Sequence, residues 1–459
     1  MNNYSKAVFY FIGNFGSKFL SSLLVPIYAI YLTSQDLGEY DFQLSIAQFL
    51  APILLCAIWE SVLKFSLSGK DYDEDEVITT SVLFSTLLLI IEIIVIVSIY
   101  VQLYSYRYVL LYSLLIVLTP LLILFQYIVR SIKKNRVYVE AGVLLTFFNF
   151  LLILITVVLL SYGLIGLLIS QIISQIICII YMYYKGEISK KIDIKKFNLY
   201  LLKKMLLYST PLIFNLVFIW FSNSFSRFFI NINMGSSENG MFAFSNKFVN
   251  IVGSFGSIIT MVLIEDALVS VNDKNFINRF EKNVLSVFKL MLIIGIVSLP
   301  VINIFYSFIT SSDFFQSFIL VPYGMLSIIL TTMSSNVGNI FNSLGKTKYI
   351  FYSSIIGGTV NVIFILLLGD FLGLVGVSIG SLIGSVSLLI SRYFFGNRLI
   401  GFKVIDMEII LIFVLFIITS LIFITSNVIV NISVLTFTMI FCLIKYKNNL
   451  KEIKNKLLK

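Results

Sequence analysis

Long apolar runs alternate with short polar ones along the whole chain. The runs lie near 7–32, 41–66, 77–101, 108–130, 137–160, 163–184, 205–232, 239–264, 284–309, 314–341, 348–369, 372–396, 407–425 and 427–445. Each is close to the roughly 20 residues a helix needs to cross a hydrocarbon core about 30 Å thick. The pattern predicts an all-α polytopic membrane protein with about fourteen transmembrane helices. A polar stretch, "KGEISKKIDIKKFNLYLLKK" (185–204), follows the sixth run, and no loop is long enough to fold as a domain. No basic leader with a short apolar core and a small-residue cleavage site precedes the first run. The first helix is therefore expected to act as its own insertion signal.

Basic residues sort by side of the membrane, with Lys and Arg in excess in cytoplasmic loops. With the N-terminus in the cytoplasm, "RSIKKNR" (130–136), 185–204, 266–283, "GKTK" (345–348), 392–403 and the tail "KYKNNLKEIKNKLLK" all face inward. The opposite loops, "TSQDLGEY", 102–107, "SYG", "NMGSSENG", "SSD", "GD" and "SN", hold one basic residue, Arg107. Of the 33 Lys and Arg, Lys18, Arg227 and Lys247 fall inside spans, and the rest apart from Arg107 lie on or next to the cytoplasmic side. Both termini are expected in the cytoplasm.

The chain also repeats. "YGLIGLLISQIIS" (162–174) aligns with "LGLVGVSIGSLIG" (372–384) at an offset of 210, setting Gly163 on Gly373, Gly166 on Gly376, Ser170 on Gly380 and Ser174 on Gly384. "DLGEYDF" (36–42) aligns with "ENGMFAF" (238–244) at an offset of 202, setting Gly38 on Gly240. Six helices separate the copies, an even number, so both halves share one orientation. Parallel repeats of this kind build transporters that bind substrate at the repeat interface. The expected architecture is two parallel six-helix bundles around a central cavity plus two extra C-terminal helices. Residues 1–184 form the N-terminal lobe, 185–204 a cytoplasmic basic linker, 205–400 the C-terminal lobe, and 401–459 helices 13 and 14 with a basic tail. The small-residue stripes read as close helix packing within each bundle. All six prolines fall within or at the ends of spans, where they shape or hinge helices.

Polar stripes run along the first, second, seventh and eighth spans, which are repeat-equivalent pairs. The first carries Asn14, Lys18 and Ser22; the second carries Asp41, Ser45, Gln48, Pro52, Cys56, Glu60 and Lys64. The seventh carries Asn215, Asn223, Arg227 and Asn231; the eighth carries Lys247, Asn250, Ser254 and Ser257. Spacings of three or four residues place each set on one helix face. A charge near the bilayer centre costs about 2.5–3.5 kcal/mol on insertion scales and marks a bundle interior or a wet cavity. Lys18, Arg227 and Lys247 therefore predict a cavity that attracts an anion. Glu60 and Lys64 are expected to pair with each other at i,i+4. Glu92 in the third span is either a proton site or, as we favour, the partner of a buried cation. The helices bearing Arg227 and Lys247 carry no nearby intramembrane acid of their own.

Composition sharpens the class. The chain of 459 residues is 59% hydrophobic and 12% charged, with a mean hydropathy of +0.99. It has no histidine, and Cys56, Cys178 and Cys442 lie scattered in apolar runs, so no His or CxxC metal site is available. No cofactor is expected. The net charge of +10 reflects the topology of the loops and does not point to nucleic acid.

"IGNFGSKFLSSLLVPIYAIYLTSQDLGEYD", "YSTPLIFNLVFIWFSNSFSRFFI" and "ENGMFAFSNKF" resemble the Wzx-type polysaccharide flippases of the MATE-like multidrug/oligosaccharidyl-lipid/polysaccharide exporter superfamily. The resemblance covers essentially the whole chain. It implies translocation of an undecaprenyl-pyrophosphate-linked oligosaccharide, for O-antigen, capsule or exopolysaccharide, across the bacterial plasma membrane. It also implies that Lys18, Arg227 and Lys247 hold the lipid pyrophosphate, with Asn14, Asn223 and Asn250 beside the sugars. Glu60, Glu92 and Asp41 would serve ion coupling or charge pairing. The implied partners are the lipid-linked oligosaccharide, membrane lipids, and the polymerase and chain-length regulator of the pathway. The alternative within the superfamily is a MATE-type multidrug/cation antiporter, which wants buried carboxylates where the first span offers Lys18. A polymerase or ligase, a membrane enzyme, would want long external loops that this chain lacks. No GxxxxGK[ST] motif is present to make it an ATPase, and no enzyme activity is expected.

Overall fold

The computed structural model describes residues 3–68, 72–103, 106–270, 275–402, 406–425 and 427–445. Helices dominate, with no strand among the described residues, because hydrocarbon leaves backbone amides no partner but one another. The helices are α1 (Asn3–Tyr31), α2 (Ser34–Leu54), α3 (Ile58–Ser68), α4 (Glu74–Leu103), α5 (Tyr106–Ser131), α6 (Asn135–Ile153), α7 (Gly163–Lys185), α8 (Leu199–Asn233), α9 (Ser236–Ser270), α10 (Phe276–Phe308), α11 (Val321–Ser343), α12 (Lys348–Ile400), α13 (Met407–Thr425) and α14 (Val428–Lys445). α2 and α3 are one span bent by 56°. α12 is two spans joined at Gly373, whose backbone leaves the helix at φ +57° and ψ −139°. With those two adjustments the helices reproduce the fourteen expected spans.

The chain forms two compact units, Met1–Ala243 and Phe244–Lys459. In the first, α7 packs on α5 and α6, α2 on α5, and α8 on α2 and α3. Its core gathers Leu55, Ile58, Trp59, Val62, Ile78, Phe125 and Met205, all almost fully buried. In the second, α11 packs on α12, while α13 and α14 lie on α10. Phe244 stacks on Phe314 at 4.5 Å between centroids, and the Tyr306 hydroxyl shares a 2.7 Å hydrogen bond with Ser317.

The sequence repeat is visible as geometry. Gly163 and Gly373, repeat-equivalent, hold φ of +51° and +57°, which favours glycine over any residue with a Cβ. A Cβ on Gly166 would lie 3.1 Å from the Thr156 carbonyl oxygen. One on Gly376 would lie 2.0 Å from the Leu368 oxygen, and one on Gly380 2.7 Å from the Ile365 nitrogen. Each stripe thus seats a helix against its antiparallel neighbour, α7 on the π-helical end of α6 (Leu154–Leu159) and the second half of α12 on the first. Gly38 and Gly240 go further, because they face each other. A Cβ on Gly38 would lie 1.7 Å from the Ser236 oxygen, and one on Gly240 1.8 Å from the Ser34 oxygen. The starts of α2 and α9 therefore cross backbone against backbone. Ser34 and Ser237 share a 2.6 Å hydroxyl contact there, and Asn239 donates to the Gly38 oxygen at 2.8 Å. A capping box between Thr33 and Asp36 starts α2 at the crossing.

The bend in the second span follows Pro52, which has no N–H to give to the helix. Cys56 and Ala57 both take positive φ, +49° and +48°, and Ala57 N–H reaches back to the Pro52 oxygen at 2.8 Å. Each costs on the order of 1–2 kcal/mol for an L-residue with a Cβ, so surrounding packing holds the break.

The 185–204 segment is pinned to the structure. Lys191 pairs with Glu74 at 2.7 Å and Asp75 at 3.2 Å, and Lys196 with Asp73 at 2.9 Å and Asp75 at 3.1 Å. The Thr79 hydroxyl donates to the Lys191 carbonyl, Asn198 donates to Glu76, and Asn198 caps α8 through the Leu201 N–H. Glu74, Asp75 and Glu76 sit on the first turn of α4, the positive end of its dipole, with Asp73 just before it. Nearby, hydrogen bonds from Lys134 and then Lys190 hold the Glu187 carboxyl down at about 2, below its ordinary 4.5. A hydrogen bond from Lys196 likewise holds Asp73 below the usual carboxylate range. Both carboxyls are depressed, so their contribution is complete above the ordinary carboxylate range and is lost as pH falls below it, for Glu187 towards about 2.

Two expectations follow. Asp75→Asn weakens both lysine pairs, each individually weak at an exposed site. Trypsin should then cleave within 190–196 roughly twofold to fivefold faster in membrane vesicles, with helicity unchanged. A Ser34→Cys/Ser237→Cys pair should form a disulfide under mild oxidation. Adding Gly38→Leu, which forces the crossing apart, should abolish that disulfide, as read by mobility after proteolysis.

Candidate functional site

The second and seventh spans meet along an aromatic and ionic seam between α2 and α8. Phe49 lies 4.6 Å from Trp220, centroid to centroid, and Phe42 lies 6.4 Å from Phe228. The Trp220 indole N–H donates to the Ser45 carbonyl at 2.9 Å. One turn from the Gly38 crossing, Arg227 Nε sits 2.9 Å from Asp41 Oδ2, with 26% and 13% of the two side chains exposed. The N–H is not aimed at that oxygen, which accepts no directed hydrogen bond. The contact is an ion pair by charge and distance rather than a directed hydrogen bond.

Arg227, whose own helix carries no nearby acid, thus finds one on another helix. That acid lies three residues beyond Gly38, so the sequence of α8 alone does not show it. Asp41 is the charge partner of Arg227. Glu39, two residues earlier, accepts from Gln43 at 2.9 Å and from Ser236 at 3.0 Å. The start of α2, the end of α8 and the start of α9 are thus tied by polar contacts around the glycine crossing.

The expected Glu60–Lys64 pair does not form. Glu60 accepts from the Tyr127 hydroxyl at 3.0 Å, and the Lys64 ammonium lies 3.7 Å above the Tyr208 ring. Aromatic partners from α5 and α8 outcompete the neighbour on the same helix, because even at an exposed site a cation over a ring is worth about 0.5–1 kcal/mol against a few tenths for an i,i+4 pair. Glu92, favoured as the counter-ion of a buried cation, has no ion-pair or hydrogen-bond partner among the described residues, and its Oε2 is fully buried. That expectation is also corrected.

Lys18 is exposed on α1 and has no acid within reach among the described residues. Asn223 and Asn250 are exposed, and Lys247 is half-buried on α9 in the second unit. The Asn14 side chain lies outside the described residues. One cation escaped the sequence reading. Arg392 lies within the 372–396 run but was grouped with the cytoplasmic margin. It is partly buried, donating to the Ser334 carbonyl at 2.9 Å and to the hydroxyls of Ser353 at 3.3 Å and Ser354 at 3.5 Å. No carboxylate joins it among the described residues. Its place inside an apolar run was the signal that could have found it.

The architecture is that of solved multidrug/oligosaccharidyl-lipid/polysaccharide exporters. The lipid II flippase MurJ, in an inward closed conformation, superposes with a TM-score of 0.71 at 18% identity, over 96% of this chain and all of that one. An inward-facing MATE multidrug resistance transporter gives 0.59 at 18% identity, over 86% of this chain and 94% of that one. A mutant of the Vibrio cholerae MATE transporter VcmN gives 0.56 at 14% identity, over 86% and 97%. At such identities the likeness establishes the fold. No curated protein matches the chain in sequence. The family model described as polysaccharide biosynthesis protein matches residues 4–264, more than half of the chain, and the chain belongs to that family. It is a multi-pass membrane protein with a transporter fold.

Removing one partner of a buried ion pair strands the other charge, at about 3 kcal/mol for well-buried cases and less here, where both side chains keep some exposure. Arg227→Ala should therefore lower the melting temperature of the purified protein, and adding Asp41→Asn should restore most of it. If Arg227 also holds substrate, export stays lost in the double variant although stability returns. Recovery of both assigns Arg227 to structure alone.

Proposed function

We propose that this protein is a flippase. It moves undecaprenyl-pyrophosphate-linked oligosaccharide repeat units from the cytoplasmic to the outer leaflet of the bacterial plasma membrane by alternating access, as a carrier and not an enzyme. Both termini lie in the cytoplasm. The lobes are residues 1–184 and 205–400, with 185–204 between them and 401–459 appended. The observation that carries the reading is Lys18, an exposed lysine inside the first span with no described acid partner, in a member of a polysaccharide biosynthesis family. A pyrophosphate crossing a low-dielectric region needs compensating charge and donors. Lys18, Arg227 and Lys247 would supply both, and Asn14, Asn223 and Asn250 would replace water around sugar hydroxyls. The polyprenyl chain stays among membrane lipids, and the polymerase and chain-length regulator of the pathway act on the delivered unit.

Alternating access needs contacts that can open. The Gly38–Gly240 crossing, the Ser34–Ser237 hydroxyl contact and the loosely directed Arg227–Asp41 pair are suited to a closure on the side opposite the basic linker. In this reading Asp41 holds Arg227 while no phosphate is present and yields it to substrate. A MATE-type antiporter shares the fold, but a cation-selective cavity would not place Lys18, which has no acid partner among the described residues, in its first helix.

A clean deletion in a strain with no redundant flippase should remove surface polysaccharide and strand lipid-linked repeat units on the inner leaflet. Normal surface polysaccharide in that strain overturns the proposal. In complementation at equal membrane abundance, Lys18→Ala should fail and Lys18→Arg should retain part of the export, since charge matters more here than the geometric difference between the two side chains.

A further inference from the structure

Glu92 stands apart from every other intramembrane charge described in the first unit. It lies eighteen residues along α4 from Glu74, about 27 Å at 1.5 Å per residue. Ile90, Ile91, Ile93, Ile94 and Val95 around it are exposed on the outer faces of the helix, which places this level in the hydrocarbon. The Glu92 side chain points inward and is only 8% exposed, on the same buried face as Ser81, Ser85 and Ile96. Neither Glu92 Oε2 nor the Ser85 hydroxyl two turns away has a hydrogen-bond partner among the described residues.

The elements packed on α4 are α3, α5, α8 and the 3-10 turn Ile194–Lys196. Their described ionisable groups are committed or distant. On α3, Glu60 is held by Tyr127 and Lys64 by Tyr208. On α5, Arg130 lies over Tyr127 and Tyr138, and Tyr108 stacks on Tyr112. On α8, Lys204 lies over Tyr72 and Tyr200, and Lys203 sits one residue before it at the same basic end. Lys195 and Lys196 belong to the linker, which meets α4 near Asp75 and Thr79, about 20 Å along the helix from Glu92. Of the helices packed on α4, α3 begins directly after the strained break in the second span, at Cys56 and Ala57.

A buried carboxylate with no counter-ion is costly as an anion and well tolerated as a neutral acid. We propose that Glu92 is a proton-binding site. It holds a proton while sealed in the closed site and releases it when water reaches the α2–α3 break, so that transport is coupled to the proton gradient. A protonated glutamate donates a hydrogen bond and an ionised one only accepts. Proton release therefore changes what Glu92 can offer the carbonyl groups that a helix break frees. This gives proton occupancy a way to bias the bend between α2 and α3. The coupling rests on the flippase reading; the proton site does not.

The test uses the full-length protein in proteoliposomes, without substrate. Infrared difference spectra between acid and alkaline buffers should contain a carboxylic C=O band that disappears in Glu92→Gln and returns, shifted, in Glu92→Asp. A difference spectrum unchanged by Glu92→Gln overturns the proton site. In cells, Glu92→Gln at normal membrane abundance should lose surface polysaccharide and Glu92→Asp should keep part of it. Normal export by Glu92→Gln overturns the coupling. If deletion of the whole protein leaves surface polysaccharide intact, the flippase reading fails while the infrared result still decides the site.

Discussion

Hydrocarbon offers no hydrogen bonds, and most of this structure answers to that constraint. Backbone groups close on themselves as helices, and serine and threonine hydroxyls turn back onto carbonyls three or four residues earlier, as Ser113 does onto Val109 and Thr119 onto Leu115. Lipid tails are as apolar as leucine side chains, so helices gain little by hiding leucines from lipid and associate through close packing instead. Glycine is what permits that closeness. Gly166, Gly376, Gly380, Gly38 and Gly240 each stand where a single methyl would meet the neighbouring backbone. Where the helical ladder is interrupted, at Leu55–Ala57 and at Gly373, the interruption is held by packing or uses a residue without a Cβ.

Charge within the spans is handled in four different ways, and the differences carry the functional argument. Arg227 has an acid, but at a geometry that makes no directed hydrogen bond to the carboxylate oxygen it touches. Arg392 is surrounded by serine oxygens and a carbonyl with no described carboxylate, a neutral cradle that keeps the cation in place. Lys18 is exposed on its helix and available. Glu92 has no partner among the described residues. A protein built only to be stable would pair these groups or replace them with apolar residues, which is often neutral or favourable. Their retention fits a carrier that exchanges partners as it moves an anion.

The basic side obeys different rules. There the acidic first turn of α4 gathers Lys191 and Lys196, while Lys134 and Lys190 converge on Glu187. In water such pairs are individually weak and screened by salt. Several sharing one helix terminus, with Asn198 and Thr79 adding directed hydrogen bonds, bring the 185–204 segment down onto the end of the bundle. A segment that reads as a free basic linker is thereby a fitted strap.

The number of spans and the internal repeat were legible in the chain, because each depends on a local property, whereas which of the six prolines breaks its span was not. Hydrophobic length sets a span, proline removes an N–H, and glycine recurs where backbone must approach backbone. The repeat even indicated which glycines matter, Gly38 with Gly240 and Gly163 with Gly373. Partnership was not legible. Lys64 is four residues from Glu60 yet lies on Tyr208. Arg227 is 186 residues from Asp41 yet pairs with it. Glu92 was expected to have a cation and has none among the described residues. Such choices depend on which helix faces touch and on what dielectric surrounds them. Electrostatic preference varies steeply with both, so only the packed tertiary structure decides which charge is answered and which is left available.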